Sequence, residues 1–109
     1  MIEIKNYTKK PVTIKAVQFK EGLSSGDYHG IYQWIEENTE GSFDVNKLIE
    51  DPDYKCPSSG VSIDARDGRM VIASLEGLMW VDMNDWVIQG IKGEFYPCKP
   101  DIFAGSYDE

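Results

Sequence analysis

Three aromatic residues, Trp80, Trp86 and Tyr96, and three lysines, Lys15, Lys92 and Lys99, are the side chains of this sequence best suited to ligand chemistry. An indole or phenol face stacks on a nucleobase, and an ammonium group beside it holds a phosphate. Converging, the six would form a pocket for a small nucleotide-like anion. Catalysis has less support. His29 is the single histidine, so a metal set drawn from His and Cys lacks members, and a Cys98 nucleophile has His29 as its only imidazole base. Gly-rich phosphate loops, paired catalytic carboxylate motifs and serine elbows are absent. The expectation is a non-enzymatic binding protein with no cofactor and no metal.

Charge narrows the partners. The net charge is -8, but it is unevenly spread. Residues 1–20 hold five lysines against Glu3, a local +4, whereas residues 21–54 sum to -8 and residues 55–109 to -4. An acidic chain repels a nucleic-acid backbone, so direct nucleic-acid binding is not expected. The N-terminal stretch lacks the apolar run of a secretory signal, and no stretch reaches the roughly 18–20 apolar residues of a membrane span. A cytoplasmic protein without membrane attachment is expected, and there Cys56 and Cys98 stay as free thiols.

Hydrophobic periodicity supplies the frame for these residues. In 109 residues with 41% hydrophobic content there is material for one core, and residues 1–109 read as a single domain. "KPVTIKAVQF" alternates Val12, Ile14 and Ala16 with polar positions, then slips phase at Ala16 and Val17, which predicts a strand with a bulge. Tyr28, Ile31, Trp34 and Ile35 share a helical face, predicting the main helix over about 27–39 with Asp27 as its cap. Phe43, Val45, Leu48 and Ile49 anchor a short helical turn in an otherwise irregular segment. Val61, Ile63 and Ala65 alternate before Asp67-Gly68, a two-residue hairpin signal. "MVIASL", "LMWVDM", "WVIQGI" and "EFYPC" follow as further strands. The predicted fold class is α+β: an antiparallel meander sheet, joined by the first strand or closed by it into a partial barrel, packed on one main helix. A short terminal helix starts after Pro100 and Asp101 and lays Phe103 and Tyr107 on the sheet.

The tail "DWVIQGIKGEFYPCKPDIFAGSYDE" resembles the C-terminal signature of a widespread group of small phage and prophage proteins. Their ends read as Gly-Asp-Trp or Gly-Asp-Tyr, an apolar pair, a Gly-containing turn, Glu-x-Tyr-Pro, a lysine, then Phe and a terminal Tyr. The matching positions here are Asp85, Trp86, Val87, Ile88, Gly90, Gly93, Glu94, Tyr96, Pro97, Lys99, Phe103 and Tyr107, with "IKAVQF" and "SLEG" as earlier landmarks. Asn84 departs from the group's glycine; asparagine tolerates the left-handed backbone that such a turn needs. The resemblance implies a phage origin and no particular activity.

Glycine and proline placement makes most of that signature architectural, and buried or interfacial roles compete with ligand stacking for Trp80 and Trp86. Two functions follow as expectations. In the first, a phage accessory protein sequesters a nucleotide-like signal in counter-defence, using Lys15, Lys92 and Lys99 with Trp80, Trp86 or Tyr96. In the second, an acidic protein-interaction module, resembling DNA in its charge, blocks a host or defence protein. Free sheet edges predict a homo-oligomer, most simply a dimer.

Overall fold

The main helix, α1 (Ser25–Glu37), starts two residues earlier than the apolar face implies. Ser24 is its N-cap: the Ser24 hydroxyl accepts from the Asp27 amide at 3.1 Å and the Asp27 carboxylate accepts from the Ser24 amide at 3.2 Å. Asp27 is therefore the return arm of a capping box and not the cap itself. Asn38 ends the helix, its side-chain amide donating to the Trp34 carbonyl.

The computed structural model describes residues 2–108 and is α+β. Its strands are β1 (Lys15–Gln18), β2 (Gly60–Ile63), β3 (Met70–Ser74), β4 (Gly77–Trp80), β5 (Trp86–Gln89) and β6 (Phe95–Cys98), with two short helices, α2 (Val45–Glu50) and α3 (Pro100–Ser106). The strands form two open antiparallel sheets, ordered β1-β5-β6 and β2-β3-β4. One meander was expected, but it divides after β4, and β1 completes the sheet of β5 and β6.

Two strand boundaries differ from the periodic pattern for local reasons. β1 begins at Lys15, opposite Gln89; β5 ends there, so Val12 to Ile14 have no ladder to join. β2 ends at Ile63, which is 44% exposed, while Ser62 and Asp64 are buried. The expected two-residue turn is a six-residue loop, in which Asp64 donates to the Arg69 carbonyl and Gly68 to the Asp64 carbonyl. Side-chain bonds to Asp64 compete with the ladder and end the strand.

One core joins both sheets and α1. Ile31 and Ile35 from α1 meet Val61, Met70 and Ile72 from one sheet, Val81 just after β4, and Val87 and Phe95 from the other sheet. Trp34 meets the Phe95 ring edge-on at 4.9 Å between centroids. The outer faces are covered separately. Trp86 and Ile88 share a face with Tyr96 and Cys98, by strand pairing, and α3 seals it: Phe103 stacks on Trp86 at 4.0 Å and Tyr107 follows at 5.1 Å. On the other sheet Val45 of α2 is buried, with its amide donating to the Ser62 hydroxyl.

Candidate functional site

The sheets pack against one another through β3, β4 and β6, and a groove of about 500 Å³ opens between β4 and β6. Leu75, Met79, Trp80, Pro97 and Ile102 give it apolar walls; Glu76, Asp85 and Glu94 place carboxylates along it, with Tyr96, Cys98 and Lys99. Trp80, Tyr96 and Lys99 are thus brought together. Lys15, Lys92 and Trp86 are not among the lining residues. Lys15 pairs opposite Gln89 and Lys92 sits in the turn joining β5 to β6, both at the far end of β6 from Lys99. Trp86 is held face to face with Phe103. The lysine cluster expected around an aromatic pair does not form, because these lysines lie a strand's length apart, roughly 10–13 Å.

Each of the three assembled side chains has partners. Trp80 turns its indole N–H away to the Asp64 carboxylate at 2.9 Å. Asp64 is fully buried and also accepts from the Arg66 amide, the Arg66 guanidinium through Nε and Nη2, and the Asn46 side chain. The Arg66 guanidinium, then the Arg66 amide and the Trp80 indole, hold its carboxyl well below the ordinary carboxylate range. Burial raises the Tyr96 phenol well above its ordinary value, and a hydrogen bond with Tyr107 adds to this.

Lys99 is ion-paired rather than free. Its ammonium lies 2.8 Å from Asp82 and 3.1 Å from the buried Asp85. Asp82 also pairs with Arg69 at 3.2 Å, and Arg69 with Asp67 at 2.7 Å. The Asp82 carboxylate, followed by Asp85, pushes the ammonium pKa up, so Lys99 stays charged while its donors are committed to these carboxylates. Asp85 also accepts from the Asp82 amide, and Asn84 sits at φ 77 between them. The Asn-Asp-Trp run is therefore a turn that anchors Lys99 and hands Trp86 to α3.

The rest of the terminal signature is also structural. Gly93 adopts φ +82 and its amide donates to the Gly90 carbonyl. A Cβ at Gly90 would run into the Glu94 carboxylate, which folds back to accept from the Lys92 amide at 2.9 Å. Cys98 lines the groove, yet burial raises its thiol pKa, with Asp85 and Asp101 adding to the shift. A thiol held protonated is a poor nucleophile. His29 lines a different cavity. Cys56 and Cys98 are both free thiols.

That second cavity, about 720 Å³, is lined by residues with no ligand pattern in the sequence, among them Phe19, Tyr28, Tyr32, Arg69 and Met83. They come from α1, from the segment after β1 and from the loops flanking β3 and β4, so no spacing announces them. Burial raises the Tyr32 phenol pKa, and Arg69 is engaged by Asp67 and Asp82. Among the described residues no three His, Cys, Asp or Glu side chains are grouped to hold a metal ion, and no helix is long and apolar enough to cross a membrane. No family model, curated protein or solved structure matches the chain.

Proposed function

We propose that this chain is a non-enzymatic, acidic protein-interaction module of phage type, and that the groove between β4 and β6 seats a partner's extended segment bearing apolar side chains flanked by lysine or arginine. One observation carries the reading: the groove has apolar walls, its single lysine is paired with Asp82 and the buried Asp85, and Glu76 and Glu94 are in no ion pair among the described residues. A bound anion would have to compete with those carboxylates for Lys99 and lie beside Glu76 and Glu94. A basic segment gains from the same charges. Both strands beside the groove are edge strands, which suits an extended occupant. Counter-defence by blocking a host or defence protein is the matching role, supported by the resemblance of the terminal signature to phage and prophage proteins.

Calorimetric titration separates this reading from sequestration of a nucleotide-like signal. Peptides alternating lysine with isoleucine or leucine are expected to bind, more weakly as salt rises, and to lose binding to the exposed-rim variant Leu75→Lys, which removes an apolar wall and sets a positive charge against the peptide. Heat with linear or cyclic nucleotides, and none with the peptides, would overturn the module reading in favour of the nucleotide.

A further inference from the structure

Residues 2–14 belong to no strand or helix and residues 2–13 are exposed, with Lys9 reaching the body where its ammonium lies 5.9 Å from the centre of the Tyr107 ring. Ile2, Ile4 and Tyr7 are 84%, 89% and 87% exposed. Ile2 and Ile4 alternate with Glu3 and Lys5 in the period of a strand with one apolar face, and the segment adds Lys9 and Lys10. Fully extended, thirteen residues reach about 43 Å. The Cα radius of gyration is 15.8 Å, against about 13 Å for a compact chain of this length, as expected when a segment projects. Burying Ile2 and Ile4 against a partner removes their apolar area from water and is favourable.

The chain carries the complement of this arm on its own body. The arm is basic, residues 21–109 sum to -12, and the groove pairs apolar walls with Glu76 and Glu94. No arm residue lines that groove in its own chain. We infer that the basic arm of one copy lies in the β4–β6 groove of a second copy, giving a homodimer in which each copy covers the other's groove. This rests on the reading that the groove takes basic, apolar segments, and it names one such segment. The interface is reciprocal, so it closes at two copies. An external partner reaches the groove by displacing the arm, so dimerisation and partner binding compete.

The test is the solution mass of the full chain by analytical ultracentrifugation across a micromolar concentration series, with two variants. Ile2→Asp/Ile4→Asp removes the apolar face of the arm, and Leu75→Lys spoils the groove rim by replacing an apolar wall with a charge of the arm's own sign. All three positions are exposed, so each variant should fold, and an unchanged circular dichroism melt confirms it. The wild-type mass is expected at twice the 12.4 kDa chain mass, dissociating as salt rises. Either variant should be a monomer, since loss of one buried isoleucine weakens association roughly tenfold or more. A synthetic peptide of residues 1–14 should bind the arm variant and not one that also carries Leu75→Lys. A wild-type monomer, or a dimer that survives both variants, overturns the inference. The two readings fail separately: a monomer that still binds the basic peptides sinks only the arm exchange, while a dimer abolished by either variant, in a protein that binds no added peptide except the arm, sinks only the external partner.

Discussion

The outer faces of the two sheets are sealed in opposite ways. Over β5 and β6 the seal is aromatic, Trp86 on Phe103 on Tyr107. Over β2 and β3 it is polar, with Ser62 bonded to the Val45 amide and Asp64 binding Arg66, Asn46 and Trp80. An aromatic seal loses contact area in proportion to what is removed. A polar seal fails as a unit, because deleting the shared acceptor leaves several donors unsatisfied.

Asp64→Ala is therefore expected to have the largest effect, leaving the Trp80 indole and the Arg66 amide without their acceptor. It should melt lower than any other variant proposed for these faces, in a thermal scan followed by circular dichroism. Asp64→Asn keeps an acceptor and should fall between Asp64→Ala and wild type. The same carboxylate sets the acid limit. Its folded pKa lies below its unfolded value of about 3.9, so its contribution is complete above that pH and is lost as pH falls below about 4 toward the folded pKa. Asp82, lowered by Lys99 and then Arg69, acts in the same direction. Asp64→Asn should consequently have a flatter stability profile below about pH 4, measured by urea unfolding at each pH.

On the aromatic side, Phe103 is half-buried, so Phe103→Ala should cost about 1–2 kcal/mol in urea unfolding from lost burial, less than a fully buried ring, with about 0.5–1.5 kcal/mol more from the stack on Trp86. Gly93→Ala forces a side chain into left-handed backbone at φ +82 and should cost about 1–2 kcal/mol. Asn84→Gly should be the mildest change, within about 0.5 kcal/mol, because φ 77 suits glycine and no side-chain bond is lost. A large loss there would show that the Asn84 side chain contributes more than a permissive backbone.

The aromatic seal was the more legible of the two. α3 begins at Pro100, two residues before the start read from the sequence, since proline suits the first turn of a helix, and Phe103 and Tyr107, a helical turn apart, reach the sheet as expected. α1 was readable from Tyr28, Ile31, Trp34 and Ile35, with its start displaced because Ser24 and Asp27 cap it reciprocally. The polar seal was hidden. Alternation of Val61, Ile63 and Ala65 with Ser62, Asp64 and Arg66 implied an inward Ile63, whereas the structure buries Ser62 and Asp64. A fully satisfied buried carboxylate depends on Asn46 and Trp80, which are distant in sequence, and hydrophobic periodicity carries no record of such partners. The candidate site followed the same rule. Aromatic positions Trp80 and Tyr96 did reach one groove with Lys99, but which lysines are free depends on Asp82 and Asp85, and pairing of that kind is set by the tertiary fold.

Hydrogen–deuterium exchange of the Ile2→Asp/Ile4→Asp variant, with and without a peptide alternating lysine and isoleucine, tests the central claim most directly. Slowed exchange confined to residues 75–80 and 94–102, the two walls of the β4–β6 groove, is the predicted result. Protection at residues 28–32 and 67–70 instead, around the second cavity, or no protection at saturating peptide, would contradict it.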